Sequence, residues 1–90
     1  MSRLNAPLKS QVAAARKRCG LTQQRLAELA GVSRQTVVEL EKGDYNPSTA
    51  LALRLAVLLD ASVEELFQLP PEESEALLEL RPDGVRSDPG

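Results

Sequence analysis

Apolar residues recur along this chain in short blocks of helical period, each closed by a turn signal. Leu8, Val12, Ala15 and Cys19 lie four, three and four residues apart, which predicts one face of a helix over residues 8–19 with Cys19 packed at its end. Leu26, Ala27, Leu29 and Ala30 predict a second helix over 23–30, and Val37 and Leu40 a third over 34–42. Leu51, Leu55, Leu58 and Leu59 predict a fourth over 49–59, and Val63, Leu66 and Phe67 mark a short fifth with Phe67 inward. Thr22, Ser33, Ser48 and Ser62 stand where the later helices begin, and Glu65 follows Ser62 at capping-box spacing. Gly20, Gly31 and Gly43 follow the first three blocks, where a left-handed residue ends a helix. No Val/Ile/Thr-rich alternation interrupts this pattern, so the chain reads as all-α.

After Leu69 the composition changes. Residues 70–90 hold four of the six prolines and are rich in Glu, which predicts a domain over 8–69 followed by an acidic Pro/Glu-rich tail. Within the tail, residues 72–80 suit one amphipathic helix, and the last ten residues read as a disordered end. A core of this size lies near the lower limit for an unstapled domain, which favours self-association into a dimer.

The turn at Gly31 changes the picture most. Gln23 to Lys42 reads as two short helices joined by Gly31-Val32-Ser33. Leu26 and Ala27 face the crossing, and Ala27 leaves room for a close approach. Gly31 takes the turn, Val32 plugs the angle, and Val37 and Leu40 pin the second helix to the body. That is a helix-turn-helix, whose second helix is free to enter a major groove. An ordinary αα-hairpin shares the glycine turn but not the polar outer face.

Charge and composition then narrow the chemistry. The net charge is −2, yet residues 1–43 carry eight basic against three acidic side chains, and residues 44–90 three against ten. Local potential steers association, so the first half suits a polyanion despite the acidic total. With no His and one Cys, the chain has neither a His/Cys zinc site, an internal disulfide nor a Ser-His-Asp triad. No catalytic constellation and no cofactor motif is visible, so an enzyme is not expected. Two aromatics make no base-stacking platform. The first residues lack the apolar core of an export signal and no apolar stretch approaches membrane length, which predicts a cytoplasmic protein without membrane contact.

Residues 11–67 resemble the phage lambda repressor/Cro-like family, also called the XRE family of regulators. The resemblance rests on Arg16 to Gln23 (RKRCGLTQ), Leu26-Ala27, the run from Gly31 to Thr36 (GVSRQT), Leu40-Glu41-Lys42-Gly43, Tyr45-Asn46-Pro47-Ser48, Leu51-Ala52-Leu53 and Val63 to Phe67 (VEELF). It implies a compact five-helix DNA-binding domain acting as a homodimer on a near-palindromic operator.

Roles follow by position. With Val37 and Leu40 inward, the outer side of the third helix keeps Ser33, Arg34, Gln35, Val38, Glu39 and Lys42. Arg34 and Gln35 are the principal base readers, since Arg matches guanine and Gln matches adenine bidentately. The family often has Gln where this chain has Arg34, a departure that suggests a guanine in the operator. Glu39 either accepts from cytosine or repels wrong sites, and Val38 either meets a thymine methyl or is an isolated surface residue. Gln23, Ser33, Thr36, Lys42, Tyr45 and Asn46 are the expected phosphate contacts, although Tyr45 and Asn46 equally suit a packing role beside Pro47 and Ser48. The resemblance implies that Arg16 and Glu41 form a partly buried ion pair orienting the third helix on the first. Two readings result: a transcriptional regulator, expected to repress, or an antitoxin-like or partner-dependent regulator whose tail binds another protein. In the first, the tail is a solvated end or a dimer strap.

Overall fold

The structure, a computed structural model, describes residues 8–82. The expected disordered end lies, beyond Pro82, outside the described residues. Among them run β1 (Lys9–Ser10), α1 (Val12–Arg18), α2 (Gln23–Ala30), α3 (Arg34–Lys42), α4 (Thr49–Leu58), α5 (Val63–Leu66), β2 (Phe67–Gln68) and α6 (Pro71–Leu80).

Four helix starts follow from single side chains. The hydroxyls of Thr22, Ser33, Ser48 and Ser62 accept the amides of Arg25, Thr36, Leu51 and Glu65, each satisfying a first-turn donor that the helix itself leaves open. At α5 the Glu65 carboxylate returns a bond to the Ser62 amide and completes the capping box. Gly31 and Gly43 end α2 and α3 in the left-handed conformation, at φ 75° and 80°. A Cβ on Gly43 would stand 3.0 Å from the Leu8 carbonyl oxygen, so a side chain there would have to push that backbone back by a few tenths of an ångström.

The all-α expectation needs a correction. Lys9 and Ser10 pair antiparallel with Gln68 and Phe67 in a small two-stranded sheet. The pairing takes up the backbone before Gln11, and the Gln11 amide donates to the Leu66 carbonyl at 2.8 Å. Consequently α1 begins at Val12, four residues later than the periodicity of Leu8 suggests, with the Ser10 hydroxyl accepting the Val12 amide. The acidic segment forms the helix expected over 72–80, as α6 (Pro71–Leu80), a sixth helix after the five of the domain.

One core joins the elements. Val12 and Ala15 of α1 meet Leu26, Ala27 and Ala30 of α2, Val37 and Leu40 of α3, and Leu51, Ala52 and Leu55 of α4. Leu59, Leu66 and Phe67 close it, Phe67 inward as expected. Two inward assignments fail. Cys19 is exposed, because α1 has ended at Arg18 and the chain leaves the inward stripe; its thiol donates to the Leu59 carbonyl at 3.5 Å. Leu29 is 42% exposed, because Leu26, Ala27 and Ala30 already fill the inward stripe of α2. Leu58 is only half-buried. No described helix is long and apolar enough to cross a membrane.

Candidate nucleic-acid interface

The α2–turn–α3 unit has the geometry its residues require. Ala27 is 1% exposed, which lets α3 cross α2 closely, while Gly31 turns the chain and the Val32 amide donates back to the Ala27 carbonyl at 3.0 Å. Val32 packs half-buried against the core between the two helices. Leu26, Val37 and Leu40 are fully buried. Anchored on that side, α3 turns Arg34, Gln35 and Lys42 to solvent, with Val38, Glu39 and Thr36 half-buried along its flank.

Behind this face sits a buried ion pair. Arg16 Nε donates to Glu41 Oε2 at 2.5 Å and Nη2 to Oε1 at 3.3 Å, with the two side chains only 11% and 9% exposed. The remaining Nη1 donates to the Leu21 carbonyl at 2.8 Å, so the guanidinium fork also fixes the α1–α2 connection. Burial pushes the Glu41 carboxyl upward in pKa. The hydrogen bonds from Arg16 and Gln23, with the positive charges of Arg16 and Lys17, outweigh that and hold it below the ordinary carboxylate value.

Gln23 carries the network to the surface. Its Nε2 donates to Glu41 Oε1 at 3.0 Å, and its Oε1 accepts from Arg34 Nη2 at 3.1 Å. The opposite amide orientation would set oxygen against carboxylate and NH2 against guanidinium, so the neighbours fix it. Arg16, Glu41, Gln23 and Arg34 thus form one line from the α1 body to the first residue of α3. All four stand out in the sequence, but no local pattern joins Gln23 to Glu41 or Arg34. The hint is chemical: a Gln at a helix start, between a carboxylate and an Arg, offers one acceptor and one donor.

The other candidates are placed individually. The Ser33 and Thr36 hydroxyls lie 2.9 Å apart, and the Ser33 oxygen also accepts the Thr36 amide. One hydroxyl proton closes that contact, which leaves the second for an external acceptor. Thr22 caps the Arg25 amide and leaves the Gln23 and Gln24 amides at the start of α2 as outward donors. Asn46 Oδ1 accepts the Leu8 amide at 3.5 Å, so this side chain ties the loop after α3 to the chain ahead of β1 while its amide NH2 stays available. Tyr45 is 43% exposed on the same loop. Gln35, Lys42 and Glu39 make no side-chain hydrogen bond among the described residues. No group of metal-binding side chains forms there either.

A helix-turn-helix family model matches residues 12–66, which take in α1 to α5. The chain belongs to the XRE family of helix-turn-helix regulators. An uncharacterized HTH-type transcriptional regulator of Archaeoglobus fulgidus is 42% identical to it over 66 residues, 73% of this chain and 94% of that protein. The uncharacterized HTH-type transcriptional regulator YgzD of Bacillus subtilis is 43% identical over 65 residues, 72% and 98% of the respective chains. Among solved structures, the restriction-modification controller protein C.AhdI of Aeromonas hydrophila is similar at 39% identity and TM-score 0.57, over 62% of this chain and 85% of that one. SinR, solved in complex with SinI, is similar at 26% identity and TM-score 0.59, over 86% and 81%. This XRE-family chain is therefore a transcriptional regulator with a helix-turn-helix DNA-binding domain, and not an enzyme.

Proposed function

We propose that this regulator recognises a near-palindromic operator as a homodimer, with α3 of each copy in the major groove, and that it represses by occupying the site. The observation that carries the reading is the exposed start of α3, where Arg34 is held from behind by Gln23 while Gln35 stands free beside it. Arg34 reads guanine O6 and N7, and Gln35 reads adenine N6 and N7. Glu39 and Val38 lie one turn on, within range of cytosine N4 and a thymine methyl. The Gln23 and Gln24 amides, the spare Ser33/Thr36 hydroxyl proton, Lys42, Tyr45 and Asn46 hold phosphates on either side. A two-fold dimer sets the two recognition helices about 34 Å apart, one helical turn of DNA. Occupancy of such a site excludes polymerase without any cofactor, and places the protein where the DNA is, in the cytoplasm.

A second reading is favoured by one feature. Leu78 and Leu80 are 57% and 77% exposed on the acidic helix α6, which suits a protein partner on the tail, in an antitoxin-like regulator.

Selection of bound duplexes from a random pool at near-physiological salt, with the solution mass recorded, separates the two. A palindrome with half-sites about one turn apart and a dimer mass support operator recognition. A folded protein that enriches nothing favours the partner-dependent reading.

A further inference from the structure

Helix α6 meets the domain with a charged residue and turns its leucines away. Glu73, Leu77 and Leu80 follow one another at helical spacing and form one stripe along α6, with Ala76 beside them. Glu73 is 5% exposed, Ala76 and Leu77 are half-buried, and Leu80 is 77% exposed. The stripe is therefore buried at its charged end and runs off into solvent at its apolar end. Position explains why the carboxylate is unsatisfied. Glu73 is the third residue of α6, the place that Glu65 takes in α5, where the carboxylate accepts the Ser62 amide. In the place of Ser62, α6 has Pro70, and proline has no N–H to donate. Glu73 Oε1 is buried without a hydrogen-bond partner among the described residues.

We infer that α6 is a detachable arm, weakly docked because of Glu73 and released from the domain without unfolding of α1–α5. A buried carboxylate oxygen without a donor disfavours the docked arrangement, and water satisfies it once the helix lifts. The leucines of the last turn offset little of this, since Leu78 and Leu80 are 57% and 77% exposed. The hinge is Leu69-Pro70, because the pairing of Lys9 with Gln68 holds the chain up to that point. Release stops there and leaves the core of the DNA-binding unit closed. A helix as short as α6 does not persist alone in water, so the released arm unwinds and refolds only against a surface. The surface that suits it supplies what the domain does not: a cation or N–H donor opposite Glu73, and apolar cover for Leu77 and Leu80. Release itself needs no partner, so the inference stands whether or not the tail binds one.

Amide hydrogen exchange of the full chain, followed residue by residue by NMR and expressed relative to unfolded rates, tests this. In wild type the amides of residues 74–80 should exchange at least about a hundredfold faster than those of Leu40 and Leu55, which are fully buried. Glu73→Leu puts an apolar side chain at the buried end of the stripe and should slow exchange in α6 about tenfold, with little change at Leu40 and Leu55. Glu73→Gln, of nearly the same shape, should act in the same direction by a smaller factor. Glu72→Leu removes the same charge from the exposed neighbouring position and should not slow α6, which separates burial of the Glu73 carboxylate from the overall charge of the helix. Wild-type α6 amides as slow as those of Leu40 and Leu55 would mean that α6 opens only with the whole domain, and would overturn the inference. So would exchange that neither Glu73→Leu nor Glu73→Gln slows, or that Glu72→Leu slows equally.

Discussion

Arg34, the first residue of α3, is hydrogen-bonded by its Nη2 to the side-chain oxygen of Gln23, the first residue of α2. An exposed Arg ordinarily loses considerable rotamer freedom when it engages a base. In the proposed complex part of that ordering is already in place, because Gln23 is itself held by Glu41, and Glu41 by Arg16.

Gln23→Ala removes a hydrogen bond to the Glu41 carboxylate, which should cost about 1.5–3 kcal/mol of stability, and should weaken operator binding by about 0.5–1.5 kcal/mol through the lost hold on Arg34. The loss should concentrate at the base pair that Arg34 reads. Affinities for single-base-pair variants of the selected duplex check this; a loss equal at all positions would make Gln23 a phosphate contact only.

Arg16→Ala leaves the Glu41 carboxylate, which is 9% exposed, without its charged partner and with Gln23 as its only side-chain donor among the described residues, and should cost about 3–5 kcal/mol of stability. For a domain of this size that is a fall in melting temperature of more than about 10 °C. Base preference should change little. An unchanged melting curve would remove the ion pair from the account.

The same pair predicts an acid limb of stability. Because the Glu41 pKa is lowered on folding, its stabilisation is fully present above the ordinary carboxylate value, about 4.3, and is lost as pH falls through the folded value. Glu41→Gln should be less stable than wild type at neutral pH and should show a shallower fall below about pH 4. Thermal melts across that range measure both; parallel curves would contradict the assignment.

Gly43→Ala should destabilise more than Gly20→Ala. Both positions have positive φ, 80° and 73°, which costs a non-glycine residue about 1–2 kcal/mol. Only at Gly43 does the added methyl meet backbone, the Leu8 carbonyl at 3.0 Å. Urea unfolding of the two variants gives the difference directly.

How far the fold was legible depends on the range of the interaction that sets each element. The starts of α2 to α5 were legible because each is fixed by one hydroxyl and an amide three residues on. The start of α1 was not: Leu8 sits at helical spacing, but Lys9 and Ser10 pair with Phe67 and Gln68 at the far end of the domain, which no local pattern encodes. Cys19 and Leu29 carried inward spacing, yet one lies past its helix and the other on the outer flank of a stripe that small residues already fill. The Arg16–Glu41 pair followed from the family resemblance. Its extension through Gln23 to Arg34 needed coordinates, because it joins three helices through side-chain termini.

The central claim is that Arg34 reads a base. The most direct measurement is competition binding of wild type and Arg34→Ala against the selected duplex and all its single-base-pair variants, at one fixed salt concentration. The account predicts that wild type discriminates by about 1–3 kcal/mol at one guanine position in each half-site, and that Arg34→Ala loses that discrimination while keeping the rest. If Arg34→Ala instead weakens every duplex equally and discriminates as wild type does, Arg34 binds phosphate and the claim is wrong.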